Sequence, residues 1–152
     1  MQVNGGVVVE DVSDLVLERI GSARVIYVAR PSKEFSSANE VVYSLFGLFP
    51  HSVILSPLHN FSYVPEAVAH AKGGYLELMD RCIGLLSRCD ALILTGAWER
   101  SPGCMAEFIY AKYQGKRVYE WTGGRFRELC GDSCDELCGD SCDERCGDSC
   151  DE

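Results

Sequence analysis

Glu107 is an acidic residue placed at the start of a helix that follows a buried strand, six residues after Ser101 and four after Gly103. Ser101 is suited to cap that helix, Pro102 to occupy its first position, and Gly115 to close it. Helical side chains lean toward the N-terminus, so the Glu107 carboxylate is expected to hang over Gly103 and Cys104. Gly103 leaves a space there. A ligand in it would meet free backbone N–H groups, the positive helix end and the Ser101 hydroxyl, a set suited to a phosphate or another electron-rich group. In that field a carboxylate is expected to stay ionised, as a nucleophile must. The plainer alternative is that Ser-Pro-Gly is only a cap and the acid only a partner for the helix dipole.

The elements that hold this site can be read along the chain. Asp11–Ile20 carries Val12, Leu15, Val16 and Ile20 at helical spacing, while Val7–Val9 before it is either a short strand or a lead-in. Arg24–Ala29 is a strand stopped by Pro31. Ser36–Leu48 is a helix with Ser36 or Ser37 as cap, and Ser52–Ser56 a second buried strand closed by Pro57. One or two helical turns over Pro65–Ala71 are interrupted at Gly73-Gly74, and Tyr75–Arg88 resumes as helix. Ala91–Thr95 is a strand buried on both faces, and a further strand begins at Val118. Strands joined by helices in this way make right-handed crossovers. The expected fold is a three-layer α/β domain, Rossmann-like with flavodoxin-like winding, on a parallel sheet of four or five strands ending near Phe126.

Open parallel sheets bind ligands beyond the C-terminal ends of their strands. Tyr27, Arg30, His59, Trp98 and Glu99 fall at that edge. The Trp98 indole would stack on a ring or cover a sugar, or else pack over the sheet end. Arg30 would pair with an anion or remain a solvated loop residue. Asp90 starts its strand, about 16 Å from the Gly96 end at about 3.3 Å per residue, so it belongs to the wrong edge. His51 also precedes its strand.

Composition narrows the class. The chain of 152 residues carries a net charge of −9, and residues 130–152 supply nearly all of it, with nine acids against one arginine. The body is close to neutral and has no basic cluster to wrap a nucleic-acid polymer, so a small nucleotide fits better as ligand. No apolar run reaches membrane-spanning length and no leader pattern opens the chain, which predicts a soluble cytoplasmic protein. Cys82, Cys89 and Cys104 are expected to be reduced, buried thiols.

Trp98-Glu99-x-Ser101-x-Gly103-x-x-x-Glu107, preceded by Arg88-Cys89-Asp90-Ala91-Leu92 and followed by Tyr110-Ala111-Lys112 and Gly115, resembles the C-terminal half of nucleoside 2-deoxyribosyltransferase-like domains. The resemblance implies that Glu107 attacks the anomeric carbon of a 2′-deoxynucleoside or its monophosphate. It implies that Tyr27, His59, Trp98, Ser101 and Gly103 line the substrate pocket, where Arg30 from the residue reading would join them, that no metal or organic cofactor is needed, and that the protein forms a homo-oligomer. Two departures stand against it. Arg30 replaces a glycine in Tyr27-Val28-Ala29-Arg30-Pro31. Cys82 occupies the place of an aspartate that handles the base, with Asp80 about 200° away around the helix as a possible substitute.

From Cys130 the octapeptide CGDSCDEL, CGDSCDER, CGDSCDE repeats, with a cysteine every fourth residue. It has almost nothing apolar to bury, so disorder is expected over 130–152, with the folded domain over 1–129. Uniform C-x₃-C is not the pairing of folded zinc sites. Three functions therefore stay open: N-glycosidic cleavage or transfer, a non-catalytic nucleotide-binding or sensing domain of the same fold, and an interaction or metal-binding protein acting through its tail.

Overall fold

A computed structural model describes residues 7–65, 67 and 72–130. The acidic repeat beyond Cys130, and with it the expectation of a disordered or metal-binding tail, lies outside the described residues. So does most of the helical stretch expected over Pro65–Ala71. In chain order the elements are α1 (Val7–Gly21), β1 (Val25–Ala29), a 3-10 segment (Ser32–Ser37), α2 (Ala38–Leu48), β2 (Val53–Leu55), α3 (Pro57–Asn60), α4 (Lys72–Leu86), β3 (Ala91–Thr95), a 3-10 turn (Trp98–Arg100), α5 (Pro102–Tyr113), β4 (Arg117–Thr122) and β5 (Arg125–Cys130).

The strands form one five-stranded sheet in the order β2-β1-β3-β4-β5. The first four are parallel, with Ile26 opposite both Ile54 and Ala91, and Ile93 opposite Tyr119. This is the doubly wound arrangement, and the strand order reverses between β1 and β3. Alternate residues of the central strands feed two cores, as the pleat requires. Ile26, Val28, Ala91 and Ile93 pack with Ile20 of α1 and Leu45 of α2. Tyr27, Ala29, Leu92 and Leu94 pack with Leu86 of α4 and with Cys104 and Ala111 of α5. Helices therefore cover both faces, giving the three layers.

Several local expectations change. The Val7–Val9 run opens α1 and is neither the short strand nor the lead-in expected. The helix expected from Tyr75 begins at Lys72, so Gly73-Gly74 does not break it. β2 is an edge strand, and Val53 is 57% exposed, not doubly buried. The sheet is also not wholly parallel. Gly123 and Gly124, at φ +59° and +77°, form the two-residue turn that only left-handed backbone allows, and the chain returns as antiparallel β5. β5 ends on Cys130, the first cysteine of the repeat, which is buried against the α4–α5 side. Among the described residues no helix is long and apolar enough to cross a membrane.

Candidate active site

At the C-terminal edge of the sheet, the segment after β1, the helix and turn after β2, one face of α4 and the first turns of α5 enclose a cavity of about 570 Å³. Ser101, Gly103, Cys104 and Glu107 come to it from α5 and its cap, Cys82 and Leu78 from α4, Arg30 and Lys33 from the segment after β1, and Leu58 and Phe61 from the segment after β2.

α5 begins as its cap chemistry predicts. The Ser101 side chain accepts the Cys104 N–H at 3.2 Å, with Pro102 in the first turn. Its own O–H meets the Cys104 thiol, a hydrogen bond that opposes the rise of that group on burial. Gly103 lines the cavity, but the space its missing side chain creates is shared with α4. A Cβ there would stand 3.3 Å from both the Met79 sulfur and the Tyr75 hydroxyl. The glycine thus also lets α4 approach the start of α5.

Glu107 is only 5% exposed. The Tyr27 hydroxyl, fully buried in the middle of β1, donates a hydrogen bond to its Oε2. Burial pushes the Glu107 carboxyl up from 4.5 to about 7, and the Tyr27 hydrogen bond pulls in the opposite direction without cancelling it. The expectation that the helix N-terminus holds this group firmly ionised is corrected: loss of water outweighs the dipole. Near neutral pH the carboxyl is poised between its two forms. The two thiols in the cavity behave otherwise. Burial, assisted by the Glu107 charge, raises Cys82 to about 12, and burial raises Cys104 to about 12. Both are therefore protonated at neutral pH, and Glu107 is the carboxyl in the cavity lining, able to supply an anionic oxygen once ionised.

The remaining expected residues divide. Tyr27 does not line the cavity but touches Glu107 from beneath. Arg30 lines it, yet its guanidinium is not held out for a ligand. It pairs with Glu34 at 3.3 Å and donates to Ser37 at 2.7 Å and Thr95 at 3.3 Å. His59 is engaged through both ring nitrogens, with the Ser56 hydroxyl at 2.7 Å and with Asn39, and it does not line the cavity. Trp98 is a correction. It is 5% exposed, stands edge-on to Phe108 with ring centroids 5.4 Å apart, and donates its indole N–H to Glu120 at 2.9 Å. It closes the sheet end as core and leaves no face for a ring. Burial would raise the Glu120 carboxyl, but hydrogen bonds from Arg127 and Trp98 outweigh it and hold the group below its ordinary value. Glu99 and Asp80 are exposed, and Cys82, not Asp80, lines the cavity. Asp90 serves the opposite edge as expected, its carboxylate accepting the Arg24 and Val25 N–H groups at 3.1 and 3.0 Å.

Lys33, Phe35, Leu78 and Val64 also line the cavity and were not legible as site residues. Lys33 and Phe35 closely follow the end of β1, the place where open sheets bind, and that position was the available signal.

Fold and cavity together define a doubly wound α/β domain with a buried carboxyl in a cavity at the C-terminal edge of its sheet. A family model described as a domain of unknown function, DUF4406, matches residues 49–120, somewhat under half of the chain. The match runs from the end of α2 into β4 and so includes Cys82, Ser101, Gly103 and Glu107, but not Tyr27 or Arg30. No curated protein and no solved structure matches the chain.

Proposed function

We propose that this protein cleaves or transfers the N-glycosidic bond of a 2′-deoxynucleoside or its 5′-monophosphate, with Glu107 as nucleophile. The observation that carries the reading is the Glu107 carboxyl, buried at an α/β binding edge, lining a cavity of about 570 Å³ and gripped on one oxygen by Tyr27. The resemblance of residues 88–115 to nucleoside 2-deoxyribosyltransferase-like domains supplies the reaction class.

With Oε2 held by the Tyr27 hydroxyl, Oε1 attacks the anomeric carbon. The C–N bond breaks, its electron pair leaves on the base nitrogen, and the base takes a proton from solvent. The resulting glycosyl ester is resolved by water, which returns the carboxylate, or by the nitrogen of a second base, which completes a transfer. Ser101 and the first N–H groups of α5 hold the sugar. A homo-oligomeric assembly belongs to the same reading.

A second reading, nucleotide binding without turnover, is favoured by one feature. The side chain that lines the cavity where the resemblance implies an acid is the protonated thiol of Cys82. One experiment separates the two. Wild type and Glu107→Ala are incubated with the four deoxynucleosides and their monophosphates, with and without a free base, and base release is followed by chromatography. Release that Glu107→Ala abolishes supports the enzyme. Binding with no release in any mixture, from folded protein, supports the second reading.

A further inference from the structure

A second constellation stands at the strand-order reversal, where the segments after β1 and β3 meet. Arg30 Nη2 lies 3.3 Å from Glu34 Oε1. The other carboxylate oxygen of Glu34 accepts the Ala97 N–H at 3.2 Å. Between them Gly96 has φ +66°, and a Cβ on it would overlap the Glu34 carboxylate and crowd Arg30. A guanidinium, a backbone N–H and a left-handed glycine that lets an oxyanion lie against the main chain are the parts of an anion site. Here the anion is the chain's own. Ser37 braces the set: its hydroxyl accepts from the same guanidinium at 2.7 Å and donates to the Glu34 carbonyl at 3.0 Å.

Three facts distinguish this arrangement from a simple surface ion pair. Arg30 is 14% exposed at its side chain against 27% for Glu34, so the cation is the fixed partner. Glu34 rides on a break in the 3-10 segment, at φ −104° and ψ 25°, and not on a rigid helix face. Arg30 also forms a wall of the Glu107 cavity, which Lys33 lines as a second cation, and of a neighbouring space of about 430 Å³ that includes Thr95 and Gly96. Arg30 is thus the wall that the two spaces share, and an anion on a molecule in the Glu107 cavity meets it from the Lys33 side.

We propose that Glu34 is an internal stand-in for a substrate phosphate. The phosphate monoester of a nucleoside 5′-monophosphate takes the Arg30 and Ala97 N–H contacts, and the Glu34 carboxylate swings out to water. A dianion with three terminal oxygens outcompetes a single carboxylate because it carries more charge and adds Lys33, which lines the adjoining cavity, to the Arg30 and Ala97 contacts that Glu34 already makes. The choice of a nucleotide rests on the glycosidic reading above, whereas the anion site itself does not.

The test is binding of inorganic phosphate to the full chain by calorimetry at low ionic strength, for wild type, Glu34→Gln and Arg30→Met. A deoxynucleoside and its 5′-monophosphate are measured in the Glu107→Ala background, where neither is consumed. Removing the internal competitor in Glu34→Gln should tighten phosphate and monophosphate by about tenfold, the size of one charge-assisted contact, and leave the deoxynucleoside unchanged. Arg30→Met should erase the preference for the monophosphate. Equal affinity for nucleoside and monophosphate in the Glu107→Ala protein, or phosphate binding by Glu34→Gln no tighter than wild type, overturns the proposal. If Glu34→Gln does not fold by circular dichroism, Glu34→Ala is read by the same criteria. Phosphate binding needs no turnover, so failure of base release leaves this result standing, and base release without a phosphate preference does the reverse.

Discussion

Replacing Glu107 by glutamine should stabilise the protein, and the gain should depend on pH in a defined direction. Burial raises the carboxyl from 4.5 to about 7, so the folded chain keeps this proton to higher pH than the unfolded chain does. The contribution is fully present below about 4.5 and is lost as pH rises through about 7. At about 1.4 kcal/mol per unit of pKa, crossing that window costs the wild type about 3 kcal/mol. Glutamine keeps an oxygen to accept the Tyr27 hydroxyl but never ionises.

Urea unfolding of wild type and Glu107→Gln should therefore give nearly equal stabilities at pH 4.5. By pH 8.5 the variant should be about 3 kcal/mol the more stable, or roughly 10 °C in Tm. The nine acids of residues 130–152 and the three histidines are common to both chains, so their titration cancels in the difference. Two stability profiles that run parallel across this range would refute the desolvation of Glu107, and with it the picture of a poised carboxyl. A base-releasing protein would then need another source for its nucleophile.

Other consequences follow from the same geometry. If Glu107 attacks as the carboxylate, kcat/KM for base release should rise with pH and level off above about 7. Tyr27→Phe removes the hydrogen bond that holds the carboxyl down, so the rise should move to higher pH, with a loss of roughly tenfold at pH 6. Gly96→Ala places a Cβ on a backbone at φ +66° and into the Glu34 carboxylate. It should cost about 1–3 kcal/mol in thermal or urea unfolding, and no loss would show that Glu34 is not seated there. Trp98→Phe deletes the indole N–H that Glu120 accepts. It should destabilise by about 1–3 kcal/mol with KM unchanged, whereas a raised KM at normal stability would return Trp98 to the substrate pocket.

What could be read from the sequence was local. The cap at Ser101 and the run Ala91–Thr95 specify their elements within a few residues, and both stand as expected. Gly123-Gly124 was equally legible as a hairpin turn, so the antiparallel β5 was missed although its signal was present. The edge position of β2 was not available in the same way. Ser52–Ser56 has the same apolar texture as Arg24–Ala29, and which of two such strands lies outermost depends on the order of crossovers, not on either strand's residues. Trp98 illustrates the same limit: whether a loop indole faces a ligand or the core is decided by Glu120, 22 residues further on in β4.

Glu107 brings the two kinds of information into direct conflict. Its position over the first turn of α5 follows from spacing, and so does the local field that favours its ionised form. Its burial does not, because the groups that strip its water come from β1 and α4, and its hydrogen-bond partner Tyr27 is 80 residues away. A dipole at a helix end contributes about 0.3–1 kcal/mol, while the shift to about 7 represents about 3 kcal/mol in the other direction. The larger effect is the one that depends on tertiary packing. A carboxyl chosen from sequence as a nucleophile can therefore be correctly placed and still have its charge state read in the wrong direction. The pH-dependent gap in stability between wild type and Glu107→Gln measures the size of that error directly.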